Sequence, residues 1–215
     1  KHYLDKPHLL FWLAAFSYKI FGVTTFAYKL PSFLFTILGT YSTYRLGSLL
    51  YNKETGRLAA LILCTACAYI IANNDVRMDA ILAASIIFAI WQLVEYIQMK
   101  RISNLILSAL GLALGFATKG MIGAVIPAVS IFFYLLYQRN WKMIFHWQWM
   151  ILILFFFVFI SPVLYSYYLQ FDLHPEIEVR GRKNNSGVRF ILWDQNFERM
   201  KGESFTKNTN NDYFF

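Results

Sequence analysis

Four clusters of charge stand at the edges of apolar runs in this chain: Asp5-Lys6-Pro7-His8 directly before Leu9-Leu10-Phe11-Trp12, Asp75-Val76-Arg77-Met78-Asp79, Thr118-Lys119-Gly120, and a polar island from Arg189 to Arg199. Acids beside fixed cations at a lipid boundary suit a phosphorylated, membrane-embedded substrate. The cations would hold the phosphate, while a carboxylate orients or deprotonates an acceptor. Plainer readings stand beside this one. Lys6 and Lys119 can snorkel to the headgroups, and Arg77 can pair with Asp75 or Asp79 to close a short loop. Trp12, Trp91, Trp141, Trp147 and Trp149 suit interfacial anchoring better than sugar stacking. His8, His146 and His174 carry weak signals. The functional reading rests on the convergence of the clusters, since no single residue decides it.

The elements that must position these clusters are membrane spans. Of the 215 residues, 58% are hydrophobic and 15% charged, and the mean hydropathy is +0.44, which defines a polytopic integral membrane protein. The net charge of +8 is scattered through short loops instead of forming one stripe, so it marks topology and no nucleic acid is expected as a partner. Cys64 and Cys67 lie three apart inside an apolar segment, one helical turn from each other, and read as small hydrophobes with no disulfide or metal role. The first residue is lysine and no charged leader with a small-residue cleavage site precedes the apolar part. On that ground the chain is expected to be a piece of a longer protein.

Periodicity and apolar length predict an all-α, polytopic transmembrane helical bundle: an interfacial helix over 7–21, then about six spans near 30–51, 58–74, 80–97, 103–117, 121–137 and 149–169. Several are shorter than the roughly 20 residues that cross a ~30 Å core, so their ends must run into the interface or stop at polar positions inside the protein. Residues 1–169 form the expected transmembrane domain, and 170–215 a periplasmic loop region. The Lys/Arg rule groups Arg45, Lys53 and Arg57, then Lys100 and Arg101, then Arg139 and Lys142 on the cytoplasmic side. The charged clusters and the tail from Gln170 take the opposite face.

Residues 103–137 test this topology. A single helix would be about 50 Å long and would bury Lys119 in mid-span. A hairpin broken at Thr118-Lys119-Gly120 returns both basic loops to the cytoplasm, and Gly111, Gly115 and Gly120 favour it, because small residues allow close helix contact or a break.

The run Tyr3-Leu4-Asp5-Lys6-Pro7-His8-Leu9-Leu10-Phe11-Trp12-Leu13, then Phe21-Gly22-Val23, Lys29-Leu30-Pro31-Ser32, Arg77-Met78-Asp79 and Leu114-Gly115-Phe116-Ala117-Thr118-Lys119-Gly120, resembles the 4-amino-4-deoxy-L-arabinose lipid A transferases. It resembles equally the wider polyprenyl-phosphate-dependent glycosyltransferases that include the protein O-mannosyltransferases, all of the GT-C superfamily. The resemblance implies that Asp5 and Lys6 are the acid-lysine pair ending the first periplasmic loop, with the lysine on the phosphate of the lipid-linked sugar. It implies that Asp79 starts a helix lining the cavity, that Lys119 is the lysine of the broken-helix turn, and that Arg199 belongs to a polar cluster of a later periplasmic loop. His8 stands where family members usually have a second proline. The family's catalytic aspartate lies upstream of the Asp-Lys-Pro block, so no catalytic residue is assigned within this chain, and the chain alone is expected to be inactive.

The function expected from this resemblance is a membrane glycosyltransferase in the bacterial inner membrane, with its active face periplasmic. It would move a sugar from a polyprenyl-phosphate donor to lipid A or another glycan or protein acceptor, with inversion at the anomeric carbon. The substrate-binding set is Asp5, Lys6, Arg77, Asp79, Lys119 and Arg199. No cofactor is assigned. Asp5, Asp75, Asp79 and His8 could assemble ligands for a divalent metal, although their spacing fits no recognised metal motif. A lipid-linked sugar transporter or flippase is the alternative, and it predicts inverted repeats; none is visible, since the break at 118–120 has no counterpart. A non-enzymatic membrane scaffold gives no reason for charge to gather on one face.

Overall fold

The computed structural model describes residues 7–74, 76–174 and 186–194. Asp5, Lys6, Asp75 and Arg199 of the expected site lie outside them. Among the described residues the secondary structure is helical throughout. The elements are α1 (Leu9–Phe21), α2 (Thr25–Leu50), α3 (Lys53–Thr65), α4 (Cys67–Asn74), α5 (Met78–Met99), α6 (Ile102–Lys119), α7 (Ile122–Tyr137), α8 (Trp141–Ile144) and α9 (Trp149–Tyr167).

Local chemistry sets the helix starts. The Thr24 hydroxyl accepts from the Ala27 N–H at 3.1 Å to open α2, and the Asn52 side chain accepts from the Thr55 N–H at 2.8 Å to open α3. Both satisfy a backbone donor that the first helical turn leaves unpaired. α5 is the central element, packed against α2, α6 and α7, and it buries Ile81, Phe88, Leu93, Val94 and Tyr96. α6 comes close enough to α5 that a side chain at Gly111 would meet the Ala89 backbone at 3.1 Å.

Among the described residues three helical stretches, α5, α6 and Trp141–Asp172, are long and apolar enough to cross a membrane, and α3 with α4 makes a fourth as a bent pair. Of the other two expected spans, α2 has the length at 26 residues but carries Lys29, Arg45 and a series of Thr, Ser and Tyr side chains. α7 is apolar but has only 16 residues. The protein is a multi-pass membrane protein in which outward-facing apolar side chains such as Phe133 on α7 and Leu154 and Phe157 on α9 meet lipid rather than water.

The structure corrects two details. The expected straight span over 58–74 is bent by 56° between α3 and α4, with Ala66 extended at ψ 118°, so Cys64 and Cys67 flank a break instead of sharing a helical turn. The Ala66 carbonyl accepts from Tyr69 and Ile70 at 2.9 and 3.1 Å and restarts the helix in a new direction. Beyond the bend the Tyr69 hydroxyl occupies the space beside Gly39 of α2. Arg45, grouped from sequence with the loop cations, lies inside α2, held 3.3 Å from Glu95 of α5.

Residues 7–163 form one compact unit, and the described residues from Leu164 onward belong to a second. In the second unit α9 runs into a π-helical turn, Tyr168–Asp172. The Asp172 carboxylate accepts from the Ser186 hydroxyl at 2.5 Å and from the backbone N–H of Gly187 and Val188 at 2.9 and 3.3 Å. This carboxylate ties the π-helical turn to the start of the short helix Gly187–Arg189.

Candidate functional site

The site is built where α4 passes into α5 and α6 turns into α7. Arg77 precedes α5 with its N–H bonded to the Ala72 carbonyl at 2.9 Å. The connection is strained: Val76, a β-branched residue, is held at φ +54°, a region such residues adopt only when the surroundings compel it. The compelling force is burial, since Val76 is 4% exposed in a cluster with Leu10 of α1 and Ile81 of α5. The short apolar helix α1 is thereby seated against the start of α5, and the turn presents Arg77 and Asp79 at the surface.

Asp79 lies in the first turn of α5 and Lys119 is the last residue of α6. They form an ion pair. Each charge also complements its own helix, a carboxylate at a positive N-terminal end and an ammonium at a negative C-terminal end. The pair is open to solvent, with Asp79 55% and Lys119 31% exposed, so Lys119 can turn its remaining N–H groups to an incoming anion. The expected hairpin break follows Lys119. Gly120 takes φ +73° with its N–H on the Phe116 carbonyl at 2.7 Å, and Gly115 meets Gly123 backbone to backbone, a side chain on Gly115 falling 2.9 Å from the Gly123 carbonyl oxygen.

The structure therefore brings Asp79 and Lys119 together and places Arg77 on the same turn as Asp79. Asp5, Lys6 and Arg199 lie outside the described residues. His8 stands immediately before α1 with its ring edge-on to Phe11, centroids 6.0 Å apart. Among the described residues no three His, Cys, Asp or Glu side chains cluster as metal ligands. Sequence reading missed two polar contacts. Lys29 of α2 donates to the Asn74 side-chain oxygen at 2.7 Å, and the Arg45 guanidinium, besides meeting Glu95, lies 5.2 Å from the Trp91 ring centroid. Glu95 inside an otherwise apolar span was the available signal for the second, because an acid there needs a cation.

A helical membrane protein with a carboxylate-ammonium pair at the mouth of a broken hairpin is the class these features define. The chain belongs to the dolichyl-phosphate-mannose-protein mannosyltransferase family, which it matches over residues 5–166. It is 29% identical over 139 residues to the undecaprenyl phosphate-alpha-4-amino-4-deoxy-L-arabinose arabinosyl transferase of Wigglesworthia glossinidia brevipalpis, covering 62% of this chain and 25% of that one. It is 31% identical over 149 residues to the second transferase of that name from Sodalis glossinidius, covering 66% of this chain and 27% of that one. Its fold is that of ArnT from Cupriavidus metallidurans in the structure bound to undecaprenyl phosphate, with a TM-score of 0.76 at 16% identity over 91% of this chain and 35% of that one. The chain spans about a quarter of the length of the curated relatives it matches.

Proposed function

We propose that this chain supplies much of the donor-binding part of a membrane glycosyltransferase that takes a sugar from a polyprenyl-phosphate donor, of the undecaprenyl type named for its relatives. The acceptor is a hydroxyl or phosphate of lipid A or a comparable glycan or protein, at the periplasmic face of the inner membrane. The observation that carries this reading is the Asp79–Lys119 pair at the hairpin break, together with Arg77 on the adjoining turn.

In the reaction the acceptor oxygen attacks the anomeric carbon, the bond from that carbon to the phosphate oxygen breaks, and negative charge grows on the departing lipid phosphate. Lys119 and Lys6, with Arg77 and Arg199, stabilise that charge. A fixed donor aimed at a developing anion is commonly worth about a hundredfold in rate or more. Asp79 holds Lys119 in place before the donor arrives. The direct test is sugar transfer in membranes by the full-length glycosyltransferase to which this chain is proposed to belong, with and without Lys119→Ala and Lys6→Ala. Unimpaired transfer by both variants would sink the assignment.

A further inference from the structure

A second place on the same end of the bundle has the make-up of a lipid site. Between the start of α2 and the end of α4 lies a cleft of about 470 Å³, flanked by Phe26, Phe33 and Ile70 with Lys29 and Asn74 at its lip. The three apolar side chains are 63%, 53% and 54% exposed, so the cleft opens sideways to the hydrocarbon. Lys29 lies one turn into α2, about 6 Å from the helix start at 1.5 Å per residue, which is headgroup depth. Its ammonium donates one N–H to the Asn74 side-chain oxygen at 2.7 Å, and among the described residues it has no carboxylate partner. With that oxygen used, Lys29 and the Asn74 amide keep N–H donors at the lip, where the Asn73 amide adds a donor and an acceptor. A lip with a cation and amide donors above an apolar trough matches an anionic head on a hydrocarbon chain.

We infer that this cleft is a binding site for an anionic phospholipid of the outer leaflet. The phosphodiester sits on Lys29 and the Asn74 amide, and an acyl chain lies along Phe26, Phe33 and Ile70. The site does not depend on the glycosyl-transfer reading, because it involves neither Asp79 nor Lys119.

The test uses the full chain in phosphatidylcholine nanodiscs containing a minor fraction of phosphatidylglycerol, with lipid retained on the released protein read by native mass spectrometry. Phosphatidylglycerol is enriched over phosphatidylcholine, and Lys29→Gln lowers the enrichment about fivefold, the worth of one cation near a membrane surface. Lys29→Arg keeps the enrichment, Asn74→Ala lowers it, and Lys53→Gln at the opposite end of the bundle leaves it unchanged. Equal retention of the two lipids, or undiminished enrichment in both Lys29→Gln and Asn74→Ala, would overturn the site. Saturating undecaprenyl phosphate leaves the phosphatidylglycerol in place; its displacement would overturn the inference by assigning the cleft to the donor's path.

Discussion

Asp79 and Lys119, forty residues apart in the chain, close the gap between the first turn of α5 and the last turn of α6. The pair rests on the packing of α5 against α6 and on the Gly120 break that ends α6. Because it is half exposed, its worth to stability is small. Under the proposed function its use is to keep an ammonium ready for an anion.

That role separates the two partners. Lys119→Ala weakens binding of undecaprenyl phosphate by about tenfold, as expected for loss of a charge-assisted contact. Asp79→Asn leaves that binding nearly unchanged, because the Asn side-chain oxygen can still accept from Lys119 and hold it in place while the competing charge is gone. Equilibrium binding in detergent, measured by microscale thermophoresis, checks both. Equal weakening by the two variants would mean that the pair only holds the helices together.

The hairpin is the support on which Lys119 depends. Gly115→Val puts a branched side chain where the Gly123 backbone lies, and overpacking of this kind costs about 1–3 kcal/mol. The expected outcome is a lowered melting temperature and weakened undecaprenyl phosphate binding together, read by scanning fluorimetry and the same binding assay. Ala128→Val, in the second turn of α7 and exposed, is the comparison and has a smaller effect on binding.

How much of this was legible in the sequence depends on the range of the interaction responsible. The hairpin break could be read because Lys119-Gly120 interrupts an apolar run too long for one span, and the grouping of Asp79 with Lys119 on one face followed from counting the crossings. The bend at Ala66 could not, since neither proline nor glycine marks it. What accompanies it is a long-range contact, the Tyr69 hydroxyl beside Gly39, thirty residues earlier. The Lys29–Asn74 and Arg45–Glu95 contacts each join residues of different helices, and which rows of α2 face α4 and α5 is fixed only by packing. Asp172 looked like the beginning of a polar tail, and its capping role appears once the chain returns at Ser186.

The Arg45–Glu95 pair yields a prediction about the other end of the bundle. Glu95 is 12% exposed, so Arg45→Ala leaves a carboxylate with its charged partner gone and destabilises the protein by about 1–3 kcal/mol. Arg45→Ala with Glu95→Gln recovers part of the loss, because the orphaned charge is removed with its partner. Thermal unfolding of the single and double variants in one detergent decides it, and strictly additive losses would contradict the coupling.

The central claim is that the cations at this membrane face act on the phosphate of a lipid-linked sugar. The measurement that tests it most directly is transfer of radiolabelled sugar from polyprenyl phosphate into membrane acceptors by the full-length glycosyltransferase to which this chain is proposed to belong, comparing the unaltered protein with Lys119→Ala and with Lys53→Gln as a control at the opposite end. The account predicts label in lipid A or protein with the unaltered protein and with Lys53→Gln, and about a hundredfold slower transfer with Lys119→Ala. Labelled lipid that changes leaflet without any transfer, or full transfer by Lys119→Ala, would contradict it.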